Sequence, residues 1–172
     1  MKNEDDIEVN MHKESIISVE QLEILLQKDD GLITTLANAS AYLNELMADL
    51  NWVGFYLLQA GELSLGPFQG KPACTRISVG KGVCGTAVEQ NKTQRVEDVH
   101  AFPGHIACDG ASNSELVVVL HTENGEPMGV LDIDSALYAR FTEADAKNME
   151  RAAEIISEKI RNAFEIYKGT RT

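Results

Sequence analysis

The sequence is poor in positive charge and has no long apolar run. Lysine and arginine number 15 against 27 aspartates and glutamates, so the 172 residues carry a formal net charge of −12. This balance argues against nucleic acid or an anionic membrane as a partner, because both are bound through an excess of Lys and Arg. No apolar stretch approaches the roughly 20 residues that cross a bilayer. The polar first residues contain no apolar signal core, so we expect a cytoplasmic protein.

Cysteine is scarce as well, and the three in the chain are Cys74, Cys84 and Cys108. An odd number without a CxxC pair argues against a disulfide framework or a zinc finger. Two roles remain open for thiols in a cytoplasmic chain. The commoner role is that of a small buried apolar side chain, and the other is that of a reactive nucleophile. The spacing of the three cysteines does not decide between these roles.

The hydrophobic pattern predicts helices at both ends of the chain. Residues 1–15 show no periodicity and are expected to form a disordered tail, whereas residues 16–168 are expected to form one domain. A short helix is predicted to begin at Ser18, where Gln21 completes a capping-box pattern. The apolar face of a second, long helix is predicted from Leu32, Leu36, Ala39, Leu43, Met47 and Leu50.

Between the helices the period of the apolar residues changes from 3.6 to 2. Strands are predicted in NWVGFYLL, ELSLGPF, ACTRISV, TQRVEDV, ELVVVLHT and EPMGVLDID, and a short helix in GKGVCGTAVEQ carries Cys84. The last helix is predicted to begin at Thr142, with Asp145 three residues later. The sequence therefore predicts an α+β fold, in which N- and C-terminal helices pack on one side of a central antiparallel sheet.

Two polar-tipped aromatic residues share one face of the first predicted strand. Trp52 and Tyr56 lie on either side of Gly54, which has no side chain to fill the space between them. Such residues usually fill a core, and Gly54 is equally compatible with a bulge or a close packing contact. The alternative is a flat-walled slot that could hold a methyl-sulfur group.

Three carboxylates are predicted to lie on neighbouring strands. Asp132 and Asp134 alternate with apolar residues in VLDID, and Glu115 opens the strand expected to pair with it. Alternating aspartates usually mark the solvated face of a half-buried sheet. The alternative is that the three carboxylates converge on one ligand, whose positive charge would have to compensate them. The ammonium group of a free amino acid would do so.

Six segments in order resemble the free methionine-R-sulfoxide reductases, which are single-domain enzymes of GAF fold. The segments are NWVGFYLL, LGPFQGKPAC, GKGVCGTAV, DVHAFPGHIACD, SNSELVVVL and GVLDID, and the resemblance runs from about Leu32 to Phe141. The chain departs from the family pattern at Gly110, where alanine is frequent, and at Val119, where proline is common. Neither departure removes a reactive group.

The resemblance implies a role for each candidate residue. Cys108 matches the cysteine that attacks the sulfoxide sulfur, and Cys74 matches the resolving cysteine. Cys84 matches a further cysteine at the site, which resolves or relays the oxidation or is an alternative attacker. By the same resemblance, Trp52 and Tyr56 form aromatic walls around the substrate, and the carboxylates of Glu115, Asp132 and Asp134 hold its amine and assist proton transfer. It also implies reduction by thioredoxin, a homodimer as a frequent assembly, and no metal or organic cofactor, since cysteines carry both electrons.

Two other functions are compatible with the same residues. A GAF-type sensor would bind a small ligand without chemistry, so its cysteines would be dispensable. A thiol redox switch or structural metal binder would oxidise or retain metal without turning over a sulfoxide. Turnover of free methionine sulfoxide by the pure protein distinguishes the enzyme from both.

Overall fold

A computed structural model describes residues 18–104 and 110–169 of the chain. Its helices are α1 (Leu22–Leu25), α2 (Leu32–Leu46), α3 (Gly82–Gln90) and α4 (Glu143–Lys168). Its strands are β1 (Trp52–Gln59), β2 (Glu62–Gly70), β3 (Arg76–Ser78), β4 (Gln94–Val96), β5 (Ser114–His121) and β6 (Pro127–Ser135). Short 3-10 segments precede α1 at Val19–Gln21 and follow β4 at Val99–Ala101. Residues 1–15, predicted to be a tail, lie outside the described part.

The strands form one six-stranded antiparallel sheet in the order β3-β2-β1-β6-β5-β4. The central strands β1, β5 and β6 are rich in Val, Leu and Ile and are buried along nearly their whole length. Strands of this kind must be covered on both faces. The predicted α+β class with a central antiparallel sheet is confirmed.

Two apolar cores cover the two faces of the sheet. The larger core joins α1, α2 and α4 to inward residues of the central strands such as Val53, Phe55 and Ile133. This confirms that the N- and C-terminal helices pack on one side. The smaller core joins α3 to the other face through Trp52, Tyr56 and Val117. The predicted alternation along β1 is therefore correct, and the second face is the one that carries the candidate site.

The predicted capping box of the first helix and the predicted end of the second helix were wrong. Ser18 is the N-cap of a 3-10 segment and makes no capping hydrogen bond through its side chain. The capping box is therefore not formed, and the amide oxygen of Gln21 accepts a hydrogen bond from the Tyr42 hydroxyl at 2.7 Å. Helix α2 ends at Leu46, because Met47 is extended and Asp49 has a positive φ of 62°.

Helix α4 begins as predicted. Thr142 accepts a hydrogen bond from the Asp145 backbone N–H, and the Asp145 carboxylate accepts one from the Thr142 N–H at 2.8 Å. Together they form a complete capping box. Across residues 18–104 and 110–169, no helix is both long enough and apolar enough to span a bilayer.

Candidate active site

The strand register brings the predicted carboxylates and aromatics into adjacent rows. Glu115 of β5 pairs with Asp134 of β6, which pairs with Trp52 of β1. In the next row on the same face, Asp132 lies beside Gly54. Because side chains two residues apart in a strand point to the same face, these groups share the face that α3 covers.

Helix α3 places Cys84 directly over the carboxylates. Cys84 lies in the first turn of the helix, is 3% exposed and packs in the smaller core. Its thiol donates a hydrogen bond to Glu115 Oε1, with an Sγ–Oε1 distance of 3.9 Å. One ligand atom from each of Cys84, Glu115 and Asp132 lies within 4.8 Å of the other two. We call Cys84, Glu115 and Asp132 the buried triad, and this cluster could hold a cation.

Burial of the triad excludes the solvated-face interpretation of the carboxylates. Glu115 is 7% exposed and Asp132 is 6% exposed, and only Asp134 is partly open to solvent. Asp132 Oδ1 is buried and has no hydrogen-bond partner among the described residues. No salt bridge in the described part of the chain includes Glu115 or Asp132. Both groups are therefore buried without a basic partner from those residues.

This environment favours the protonated form of each triad member. Burial, with Asp132 and Asp134 adding their negative charges, raises the pKa of Glu115 well above its usual range. Burial raises the pKa of Asp132 to about 6, although hydrogen bonds from Cys84 and Glu115 oppose the rise. Burial and the same carboxylates also raise the pKa of the Cys84 thiol. Near neutral pH, the two carboxyl groups together retain a proton that one of them can donate.

The aromatic residues form a stack. The Trp52 ring is stacked on Tyr56 at a centroid distance of 5.9 Å and on Phe68 of β2 at 5.2 Å. A Cβ built on Gly54 would lie 2.3 Å from Phe68 Cβ and 2.7 Å from the Trp52 ring. Trp52 and Phe68 therefore fill the space over Gly54. The missing side chain of Gly54 allows this close packing contact and does not leave an open slot. A register shift between Gly54 and Tyr56 also places a bulge here.

The polar ends of two aromatics attach the segment that carries Cys74 to the site. Trp52 Nε1 donates a hydrogen bond to the Lys71 carbonyl at 3.1 Å, and the Tyr56 hydroxyl donates one to the Cys74 carbonyl at 2.9 Å. Burial and the nearby carboxylates raise the pKa of Tyr56, which keeps this hydroxyl protonated. The two aromatic residues thus position the Cys74 segment next to the carboxylate rows.

The cysteines differ in what the structure describes. Cys84 is a free buried thiol, whereas Cys74 is disulfide-bonded. Cys108, predicted to attack the sulfoxide, lies outside the described residues. The placement of Cys108 relative to the triad therefore stays a prediction.

The sequence reasoning missed Phe68. It lies within the predicted strand ELSLGPF, but its partner on β1 depends on the bulge around Gly66 and Pro67. Gly66-Pro67 was the available signal, because Pro within a strand marks a bulge or an edge. Without the position of the bulge, alternation alone cannot place Phe68 opposite Gly54.

The described residues can supply three things to a ligand. They present negative charge buried away from water, a proton on a carboxyl group, and an aromatic stack that fixes a cysteine-bearing segment. A small molecule with a positive group and a proton-accepting oxygen fits this combination.

Comparisons with known proteins agree with this chemistry. The GAF domain model matches residues 31–161. The free methionine-R-sulfoxide reductase of Escherichia coli (strain K12) is 56% identical over 127 residues, which is 74% of this chain and 76% of that protein.

Two solved structures are similar across most of their length. The free methionine-R-sulfoxide reductase of Neisseria meningitidis, in complex with its substrate, has a TM-score of 0.80 at 41% identity, covering 86% of this chain and 89% of that one. The reduced form of fRMsr of Staphylococcus aureus also has a TM-score of 0.80, at 46% identity over 88% and 97% of the two chains. The chain therefore belongs to the free methionine-R-sulfoxide reductases of the GAF-domain family.

Proposed function

We propose that this protein reduces free L-methionine-R-sulfoxide to L-methionine. The observation that carries the proposal is the pair of buried carboxyl groups, Glu115 and Asp132, which have no basic partner among the described residues. Buried carboxylates are costly unless a positive group compensates them. The ammonium group of a free amino acid provides that compensation, and Asp134 in the neighbouring row adds a third carboxylate.

The same carboxylates support selection of free over peptide-bound methionine sulfoxide. A residue inside a polypeptide has an amide nitrogen and therefore no positive charge to neutralise the buried groups. It would also require two chain ends to leave the site. The R preference rests on the relatives named above, because none of the described contacts distinguishes the hands of a sulfoxide.

Proton transfer is assigned to the carboxyl pair. The oxygen of a sulfoxide leaves only after it has been protonated. Because burial and the neighbouring carboxylates raise the pKa of Glu115, it is the carboxyl group that retains its proton near neutral pH. Asp132, with its pKa raised to about 6, can return a proton to Glu115 after each cycle.

The thiol chemistry is assigned to Cys108 as the attacking residue. Its thiolate forms a bond to the sulfoxide sulfur. The oxygen, protonated by the carboxyl pair, then moves to the cysteine sulfur as the S–O bond and the new S–S bond break, which gives methionine and a sulfenic acid and oxidises the cysteine by two electrons. Cys84 is the alternative attacker. Its burial beside two carboxylates raises its pKa and favours the unreactive thiol, which supports Cys108 in this role.

Recycling is assigned to Cys74. Its thiol condenses with the sulfenic acid and releases water, and the resulting disulfide is reduced by thioredoxin through thiol–disulfide exchange. The hydrogen bond from Tyr56 to the Cys74 carbonyl supports a fixed position for this step. The cysteines carry both electrons, so no metal or organic cofactor is required. We further propose one catalytic domain over residues 16–168, a homodimeric assembly and a cytoplasmic location.

Single cysteine variants test the proposal. With free L-methionine-R-sulfoxide and dithiothreitol, we expect methionine from the wild type and none from Cys108→Ser. Cys74→Ser should retain turnover with dithiothreitol and lose it with thioredoxin. Absence of methionine from the wild type would refute the enzyme assignment, and full activity of Cys108→Ser would move the attack to Cys84.

A further inference from the structure

We propose that the buried triad of Cys84, Glu115 and Asp132 is a binding site for a divalent cation of the Zn²⁺ class. This goes beyond the proposed reaction, which requires no metal. An ion bound there would inhibit the reductase, because it would occupy the place of the substrate. This inhibition rests on the proposed function, whereas the binding of the ion does not. Binding itself depends on the geometry of the three side chains.

The distances in the triad are close to those of a metal site. One ligand atom from each side chain lies within 4.8 Å of the other two, and Cys84 Sγ is 3.9 Å from Glu115 Oε1. Tetrahedral zinc with bonds of about 2.0–2.3 Å separates neighbouring ligand atoms by roughly 3.3–3.8 Å. A contraction of at most about 1.5 Å, within the reach of side-chain rotation, converts the observed cluster into three ligands.

A separate feature also indicates a missing positive partner. Asp132 is 6% exposed, and its Oδ1 is buried with no hydrogen-bond partner among the described residues. Buried polar atoms are usually satisfied, so an isolated one requires an explanation. A cation bound between Asp132, Glu115 and Cys84 would satisfy this oxygen and neutralise the carboxylates.

The donor set selects among cations. A thiolate is a soft ligand that Mg²⁺ and Ca²⁺ do not use, since both prefer six or more oxygen ligands. Zn²⁺ accepts sulfur and carboxylate oxygen together, and a site with three protein ligands leaves a fourth position for water. The strand backbones of β5 and β6 and the first turn of α3 carry the ligands, so the site is held by rigid elements.

The ion would occupy the carboxylates that the proposed function assigns to the substrate ammonium. Bound zinc and free methionine sulfoxide should therefore exclude each other. The test below measures metal binding without turnover, so its failure leaves the reductase assignment intact.

Metal binding is measured on a Cys74→Ser, Cys108→Ser background, in which Cys84 is the only thiol. Titration with Co²⁺ should produce a thiolate–cobalt charge-transfer absorption at one ion per chain, and Zn²⁺ should displace it. Adding Asp132→Asn should weaken Zn²⁺ binding by at least about 100-fold, since loss of even an outer-shell partner costs about 10–100-fold. Glu115→Gln carries the same expectation and serves if Asp132→Asn does not fold.

Asp134→Asn is the matched control, because it removes the same charge from the same face of β6 without removing a triad member. It should weaken binding clearly less than Asp132→Asn does. The proposal is overturned if Co²⁺ gives no thiolate absorption, if Cys84→Ser binds Zn²⁺ as tightly as its parent, or if Asp134→Asn and Asp132→Asn have equal effects.

Discussion

At the scale of single residues, the site combines groups that oppose folding with groups that stabilise it. Asp132 is buried without an ion-pair partner among the described residues, whereas Tyr56 and Trp52 satisfy their polar atoms on the Cys74 segment. Functional sites often retain such destabilising groups because a ligand later compensates them. The consequences differ for each residue and can be measured separately.

Asp132 should make the folded state less stable as the pH rises. Burial raises its folded pKa from 3.8 to about 6, so the folded state binds the proton more tightly than the unfolded state. The stability from this group is then fully present below the unfolded pKa and is lost as the pH rises through about 6. Asp132→Asn should remove much of this decline and be more stable than the wild type at about pH 8.

Chemical denaturation at several pH values in the presence of a chelator measures this effect. Asp29→Asn removes the same charge at an exposed position outside the site and should reproduce the wild-type profile. If Asp132→Asn is less stable than the wild type near neutral pH, the charge of the Asp132 carboxylate is compensated by a partner in the folded protein, and this prediction is wrong.

Tyr56 should affect recycling more than the attack on substrate. Tyr56→Phe removes the hydrogen bond to the Cys74 carbonyl, at a cost of about 1 kcal/mol in stability. Thioredoxin-supported turnover should fall by about tenfold relative to turnover with dithiothreitol, since displacement of a reacting group by about 1 Å can cost about 100-fold. The ratio of the two rates is the measurement.

Tyr42→Phe is the control for that ratio. The Tyr42 hydroxyl shares its one hydrogen between the Ser18 carbonyl at 2.8 Å and the Gln21 amide oxygen at 2.7 Å, but it lies on the other side of the sheet. We expect a similar loss of stability with no change in the ratio of rates. Equal ratios in both variants would mean that Tyr56 does not position Cys74.

Gly54 is required by close packing between β1 and β2. A Cβ at this position would lie 2.8 Å from the Phe68 Cα, so backbone and ring must both move. Gly54→Ala should cost about 1–3 kcal/mol in stability, which is typical of overpacking. Gly110→Ala, where no described residue lies within 4 Å of the added Cβ, should change stability little by comparison. Thermal denaturation of the two variants measures the difference. Equal melting temperatures would mean that the space over Gly54 is free.

At the scale of elements, the first residues of two helices show when a local sequence signal is sufficient to predict a capping box. Thr142 and Asp145 form their capping box because the two partners lie only three residues apart at the start of α4. Ser18 and Gln21 have the same spacing, but Tyr42 from α2 takes the Gln21 side chain. A long-range contact thus overrides the local signal, and this contact cannot be predicted from a sequence pattern.

The two caps predict different costs of truncation. Thr142→Ala should destabilise the protein by about 0.5–2 kcal/mol, because an N-cap hydrogen bond to α4 is lost. Ser18→Ala should have little effect, since Ser18 makes no capping hydrogen bond through its side chain. Urea denaturation of both variants makes the comparison, and equal losses would contradict the assigned caps.

The strands show the same division between local and long-range information. Alternation correctly assigned Trp52 and Tyr56 to one face of β1 and Phe55 to the other. The solvated-face alternative for Asp132 failed because α3 covers that face, and the packing of α3 is not visible in the pattern of β6. The contact between Phe68 and Trp52 likewise could not be predicted, because it depends on the position of the bulge between β1 and β2.

At the scale of the whole molecule, the sheet separates stability from chemistry. The terminal helices pack on one face and form the larger core, while the other face carries the carboxylates, the aromatic stack and Cys84. The antiparallel class and the packing of the helices followed from periodicity. The buried triad could not be predicted in this way, because it joins a helix and two strands whose contacts depend on the complete fold.

The central claim is that the buried carboxylates select a substrate with a free ammonium group. The most direct measurement compares kcat/KM for L-methionine-R-sulfoxide with that for its N-acetyl derivative, which keeps the sulfoxide and carboxylate and lacks the charge. We predict a loss of about 100-fold or more, since leaving a buried charged group without its partner costs about 2–5 kcal/mol. Equal values for the two compounds would contradict the account.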